Sequence, residues 1–130
     1  MALTVQLVSP ESVLFVGDAD MVVARTVSGG DLAFLSGHVP FLGALGSWPV
    51  RLIRVEGEES FAIHGGFVEV SNDQVIVLSD IAELASGIDV ERARRARGRA
   101  EENLARDPHD EDAVAALTRA QVRLEVGGAI

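Results

Sequence analysis

Five arginines, Arg92, Arg94, Arg95, Arg97 and Arg99, crowd the segment Gly87 to Leu104 of a chain whose net charge is −9. All eleven cationic side chains of the protein are arginine, and there is no lysine. A guanidinium presents a planar fork of donors, so clustered arginines suit carboxylates and phosphates. At about 100° per residue of helix, Arg92, Arg95 and Arg99 share one stripe and Arg94 and Arg97 another. Glu91 stands four residues before Arg95, Arg97 four before Glu101, and Arg99 three before Glu102. Such pairs lace a solvated helix face at about 0.2–0.5 kcal/mol each. Five arginines exceed those three acids, and Arg119 and Arg123 add two more one turn apart. Three readings stay open: the surplus charge holds an anionic ligand, meets an acidic partner surface, or is a plain solvated face.

No other residue set offers comparable chemistry. The three histidines, His38, His64 and His109, show no His-x-His spacing for a metal. His64 reads as a structural histidine at a strand end and His109 as a solvated loop residue. The chain has no cysteine, no G-x-S-x-G, no Walker A loop and no G-x-G-x-x-G. An enzyme reading has no positive support. An acidic chain also argues against general nucleic-acid binding, which needs a basic face. No run approaches the roughly 20 apolar residues of a membrane span, and the first residues lack the basic and apolar blocks of a signal peptide.

The elements that would position the arginines fall into two halves. Up to about residue 87 the sequence is a series of short alternating or β-branched runs, LTVQLVS, SVLFVG, MVVARTV, DLAFL, PVRLIRV, SFAIHG, FVEVS and QVIVLS. Turn signals such as SGG, EGEE and SND part many of them. This predicts an α+β chain that opens with an antiparallel β-sandwich of about ten short strands. Gly29-Gly30 and Gly65-Gly66 are expected at turns or bulges. From Asp89 the period becomes helical, with Ala93, Ala96, Ala100 and Leu104 on one stripe. Pro108 interrupts, and Ala113, Ala116, Leu117, Ala120 and Leu124 form a second stripe. Asp89 and Asp110 are the expected N-caps of a two-helix antiparallel hairpin. The predicted division is therefore 1–87 for the sandwich and 88–130 for the hairpin. Residues 1–88 carry eleven acids and three arginines, residues 89–130 nine acids and eight arginines, so the acidity belongs to the sandwich.

The stretches VSPESVLFVGDAD, GGDLAFLSGHVPFLGAL, FAIHGGFVEVSNDQVIVLSDIAE and IDVERARRARGRAEENL, in this order and spacing, resemble the bacterial ε subunit of F-type ATP synthase over essentially the whole chain. One local departure is Gly46-Ser47-Trp48-Pro49, where that family often shows a Pro-Gly turn. The resemblance implies a non-catalytic rotor subunit that couples proton flow to ATP synthesis. Its sandwich would bind the γ subunit and the c-ring, and its movable hairpin would regulate ATP hydrolysis by reaching the α/β catalytic head when extended. It implies a peripheral place on the cytoplasmic face of the membrane, without insertion. Asp31 matches an acidic position facing the c-ring, and His38 lies in the loop tied to the γ and c-ring contact; the alternative is that Gly37 and Pro40 build a turn that His38 caps. No cofactor is required, but ATP is implied as a regulatory ligand, with Glu83, Ile88, Asp89, Arg92, Ala93 and Arg99 at the matching positions and Arg119 and Arg123 as the second-helix candidates. The rival reading is a free-standing β-sandwich adaptor with a helical interaction arm.

Overall fold

The structure, a computed structural model, describes residues 2–129. Eight strands come first: β1 (Leu3–Val8), β2 (Val13–Ala19), β3 (Met21–Thr26), β4 (Gly30–Leu35), β5 (Phe41–Arg54), β6 (Gly57–Ser71), β7 (Gln74–Leu78) and β8 (Ala82–Leu84). A 3-10 turn, Ala85–Gly87, leads to helices α1 (Val90–Arg106) and α2 (Glu111–Val126). The strands hydrogen-bond in the order β2-β1-β7-β6-β5-β3-β4, with β8 on β6. All pairings are antiparallel except β1 with β7.

Eight strands stand where about ten were expected, because two of them are long. β5 has 14 residues and β6 has 15, paired from Phe41↔Val70 to Arg54↔Gly57. The runs SFAIHG and FVEVS are one strand that bends at Gly65-Gly66 (φ 86° and 122°). A Cβ on Gly66 would lie 2.1 Å from the Leu78 carbonyl oxygen, so the bend brings β6 against the end of β7 more closely than any side chain allows. Gly46-Ser47-Trp48-Pro49 is likewise no turn but the middle of β5.

The bend lets one sheet fold over a single core. The front half of β5 and the back half of β6 lie with β7, β1 and β2, while the other halves lie with β3, β4 and β8. Alternate residues Leu3, Val5, Leu7, Val22, Phe34, Val50, Leu52, Phe61, Ile63, Val68, Val70, Val75 and Val77 meet between the layers, nearly all fully buried. At about 1.5–3 kcal/mol for each large apolar side chain removed from water, this core is the main stabilising term of the domain.

Asp89 and Asp110 cap the two helices as their positions predict. Asp89 Oδ1 accepts from the Arg92 amide at 3.0 Å, and Asp110 Oδ1 from the Ala113 amide at 3.1 Å. The helices meet through Ala93, Ala100, Ala113 and Ala120, all buried, and small side chains let them approach closely. Below them, Val122 and Val126 of α2 pack on Ala62 of β6, with Trp48 and Ile88 at the sides. Only α2 makes extended contact with the sheet, along β5 and β6; α1 rests on α2. The hairpin is therefore folded down on the outer face of the sandwich. An expectation that it buries mostly alanine holds for α1, but the last turns of α2 add Val122, Leu124 and Val126.

Candidate functional site

The arginine cluster divides along the two stripes except for Arg95, which is exposed and lines neither of the cavities beside Arg92 and Arg99. Arg94 pairs with Glu91, and Arg97 lies 3.9 Å from Glu101, so these two are a solvated, laced face. The expected partner of Glu91 was Arg95; the helix places Arg94, three residues on, against it instead. Arg92 and Arg99 point the other way, into a cavity of about 300 Å³ lined by Glu83, Gly87, Asp89, Arg92, Ala93, Ala96, Arg99 and Arg123. The hollow exists because Gly87, Ala93 and Ala96 leave room between β8, α1 and α2. A second hollow, about 420 Å³, continues along the helices and is bordered by Arg99, Arg119 and Arg123, with Asp110 and Asp112 at its far end.

The structure thus gathers most of the residues that the motif singled out. Glu83, Asp89, Arg92, Ala93, Arg99 and Arg123 share one cavity, and Arg119 borders the next. Ile88 lies beside them, packed against the Ala62–Val122–Val126 cluster. Among the described residues Arg92, Arg99 and Arg119 make no ion pair, so three of the four guanidinium groups there are available to an anion.

The fourth is engaged. Arg123 Nε donates to Glu83 Oε1 at 2.7 Å, and His64 Nε2 lies 3.0 Å from the same oxygen. His64 Nδ1 lies 3.0 Å from Ser47 Oγ. A carboxylate only accepts, so His64 carries its proton on Nε2 and its Nδ1 accepts from the serine hydroxyl. Burial pushes the Glu83 carboxyl up, but the hydrogen bonds from Arg123 and His64 outweigh it and hold it below the usual carboxylate range. The His64 side chain is only 3 % exposed. Burial, helped by the Arg123 and Arg119 charges, lowers its pKa against the pull of Glu83.

His64 was read as a structural histidine at a strand end; it lies instead in the middle of β6, and its partners were missed. Ser47 and Glu83 are 17 and 19 residues away and reach it only through strand register: Ser47 opposes His64, and Glu83 opposes Ala62.

Asp31 and His38 are not brought together. Asp31, the second residue of β4, forms a bidentate pair with Arg25 (2.8 and 3.2 Å), which holds its carboxyl below the usual range. Arg25 also lies 3.6 Å over the Trp48 ring. His38 follows the other end of β4. Its Nδ1 meets the Val39 carbonyl at 2.7 Å, and its ring stands edge-on to Phe34. Asp73 fastens this loop by accepting from the Gly37 amide and Ser36 hydroxyl at 2.7 and 2.9 Å.

Another surface escaped the sequence reading. Across five strands, Ala44, Phe67, Leu78, Val8 and Val13 stand in one row, and Leu42, Glu69, Ile76, Gln6 and Val16 in the next. These rows cover the outer face of the layer remote from the hairpin. Leu42, Phe67, Leu78, Val13 and Val16 are between 42 % and 68 % exposed there. Isolated exposed hydrophobics are ordinary, whereas a contiguous face of them marks an interaction site. The signal lay in QVIVL and VLFV, which are apolar on both faces although β2 is an edge strand.

Two family models together span this architecture. The "ATP synthase, Delta/Epsilon chain, beta-sandwich domain" matches residues 2–85, and the "ATP synthase, Delta/Epsilon chain, long alpha-helix domain" matches residues 86–128. The chain belongs to the ATP synthase delta/epsilon family. The ATP synthase epsilon chain of Streptomyces griseus is 46 % identical over 123 residues, covering 94 % of this chain and 92 % of its own. That of Shouchella clausii is 42 % identical at the same coverage. Among solved structures, a chain of the Euglena gracilis mitochondrial ATP synthase matches the fold with a TM-score of 0.71 at 20 % identity, over 98 % of this chain and 78 % of that one. The protein is an ε chain of F-type ATP synthase, a non-catalytic subunit of the complex that makes ATP. No described helix is long and apolar enough to cross a membrane.

Proposed function

We propose that this ε chain is a central-stalk rotor subunit whose folded-down hairpin binds one ATP and is thereby held in the state that permits turnover. The observation that supports the ligand is the convergence of Arg92, Arg99 and Arg123 with Asp89 and Glu83 on one cavity that joins β8, α1 and α2. Phosphates would take the free forks of Arg92 and Arg99 and run toward Arg119 in the adjoining hollow. Asp89 and the second oxygen of Glu83 would accept from the nucleoside. A ligand touching all three elements ties the hairpin to the sandwich. Without it, the hairpin would swing up toward the α/β head and inhibit hydrolysis. Calorimetry of ATP against the full-length chain tests this reading, and absence of heat at millimolar ATP would remove it.

The docking face for the γ subunit is the apolar surface of Leu42, Phe67, Leu78, Val13 and Val16, which lies on the layer remote from the hairpin and leaves α2 free to move. Asp31 and the His38 loop, at the two ends of β4, would serve the c-ring and the γ rim separately. As part of that rotor the subunit would lie on the cytoplasmic face of the membrane. Capture of γ by the wild-type chain but not by Phe67→Asp, with unchanged circular dichroism, is the expected result. Equal capture by both would move γ to another face.

A further inference from the structure

The contact between α2 and the sandwich has an apolar patch with a chain of linked polar groups beside it. Val122 and Val126 rest on Ala62, and beside them Ser47, His64, Glu83 and Arg123 are linked end to end at 3.0, 3.0 and 2.7 Å. Three of these groups belong to the sandwich, and Arg123 alone belongs to the hairpin. The chain is thus severed at the Arg123–Glu83 contact whenever α2 leaves. We propose that this relay is a proton-sensitive latch, in which uptake of a proton by His64 releases α2 from the sandwich.

The direction follows from what surrounds the imidazole in each state. When α2 is down, His64 is buried and faces Glu83 from β8, Ser47 from β5, and Arg119 and Arg123 from α2; Arg92 and Arg99 of α1 face Glu83 across the cavity. When α2 lifts, His64 meets water and the α2 guanidinium groups depart, while Glu83 stays paired through β8 with β6. Both changes favour the imidazolium, and the attraction of Glu83 is retained. The lifted state therefore binds more protons. Docking is strongest above the pKa that His64 has when lifted and weakens as pH falls through it. The weakening is up to about tenfold per pH unit, and levels off below the docked pKa. His38 and His109 lie away from this contact, so His64 is the imidazole that acts there.

The latch is tested on the full-length chain without nucleotide, so its outcome does not depend on the ATP reading. Imidazole resonances of the three histidines are followed by NMR against pH in the wild type and in a Val122→Asp/Val126→Asp variant that forces α2 off. In the wild type His64 should be the Nε2–H tautomer and titrate below the ordinary imidazole value. In the lifted variant it should move up toward the ordinary value of about 6.5. Emission of Trp48, the single tryptophan, which packs at the α2 contact, reports docking directly. Between pH 8 and 5.5 it should shift in the wild type and stay flat in His64→Gln, whose amide can still donate to Glu83 and accept from Ser47 but cannot charge. An unchanged His64 titration in the lifted variant, or a wild-type pH response in His64→Gln, would overturn the latch.

Discussion

Replacing Arg123 by alanine removes the one ion pair that joins hairpin to sandwich among the described residues. Both side chains of the Arg123–Glu83 pair are 28 % exposed, so the bond is neither freely solvated nor sealed. A charge-assisted hydrogen bond of this kind contributes about 1.5–3 kcal/mol. Taking about 2 kcal/mol, docking of α2 should weaken roughly 30-fold. The apolar part of the seam is larger, since burying Val122 and Val126 contributes on the order of 3–5 kcal/mol. Arg123→Ala should therefore loosen the hairpin without detaching it. Amide hydrogen exchange is the suitable assay, because opening of α2 should gain about 30-fold in population while the core strands β6 and β7 remain protected. Arg123→Lys keeps a charge but loses the fork and should recover only part of the loss. Removing the guanidinium also removes one cause of the low His64 pKa, so the imidazole should titrate higher in Arg123→Ala. Exchange of α2 within twofold of wild type would refute the reasoning and assign docking to the valines alone.

Arg92→Ala should weaken ATP binding to the full-length chain about tenfold, the loss of one charged hydrogen bond after desolvation costs, whereas Arg94→Ala, paired with Glu91 on the other stripe, should stay within about twofold by calorimetry. Gly66→Ala must place a methyl against the Leu78 carbonyl at positive φ; a loss of about 3 kcal/mol or more is expected in urea unfolding, near the top of the usual range for point changes. Leu42→Asp should abolish capture of γ without lowering the melting temperature, because Leu42 is already exposed on the free face.

The halves of this molecule differ in how far their sequence discloses them. Helix ends are local events, and Asp89 and Asp110 cap where an aspartate before an apolar-periodic run should. Alternation in β1 likewise names the buried side directly. Strand length was harder to see. Gly65-Gly66 and Gly46 through Pro49 look like chain reversals in one dimension, yet a bend within a paired strand uses the same residue types. On α1, spacing put Arg92 and Arg99 on one stripe but included Arg95, which lines no cavity, and the ligand set itself came from the family resemblance. What was not legible depends on register between distant segments: Ser47 reaches His64 only because β5 opposes β6 as it does, and Glu83 reaches both His64 and Arg123 only because β8 lies on β6. Val122 and Val126 lie off the alanine stripe, on the side of α2 that faces the sheet, and periodicity alone names one such side, not two.

The proposed ligand and the proposed proton act on the same carboxylate from opposite sides. Glu83 Oε1 takes both protein donors, Arg123 and His64, and Oε2 is the oxygen left for a ligand in the cavity. Bound ATP would add phosphate contacts between α1 and α2 and so favour the docked hairpin by RT ln(1 + [L]/Kd) if the lifted state does not bind it. Protonation of His64 would oppose that term by at most about 1.4 kcal/mol per pH unit. At ATP a hundredfold above Kd the ligand contributes about 2.7 kcal/mol, equivalent to roughly two pH units of the latch. Within each pH unit over which the latch acts, its term is thus at most about half of that ligand term. Apparent affinity for ATP should then fall between pH 8 and 6 in the wild type, because part of the binding energy is spent on redocking α2. In His64→Gln that fall should disappear while binding persists. A wild-type ATP affinity independent of pH, measured by calorimetry at fixed ionic strength, would uncouple the two sites even if each existed separately.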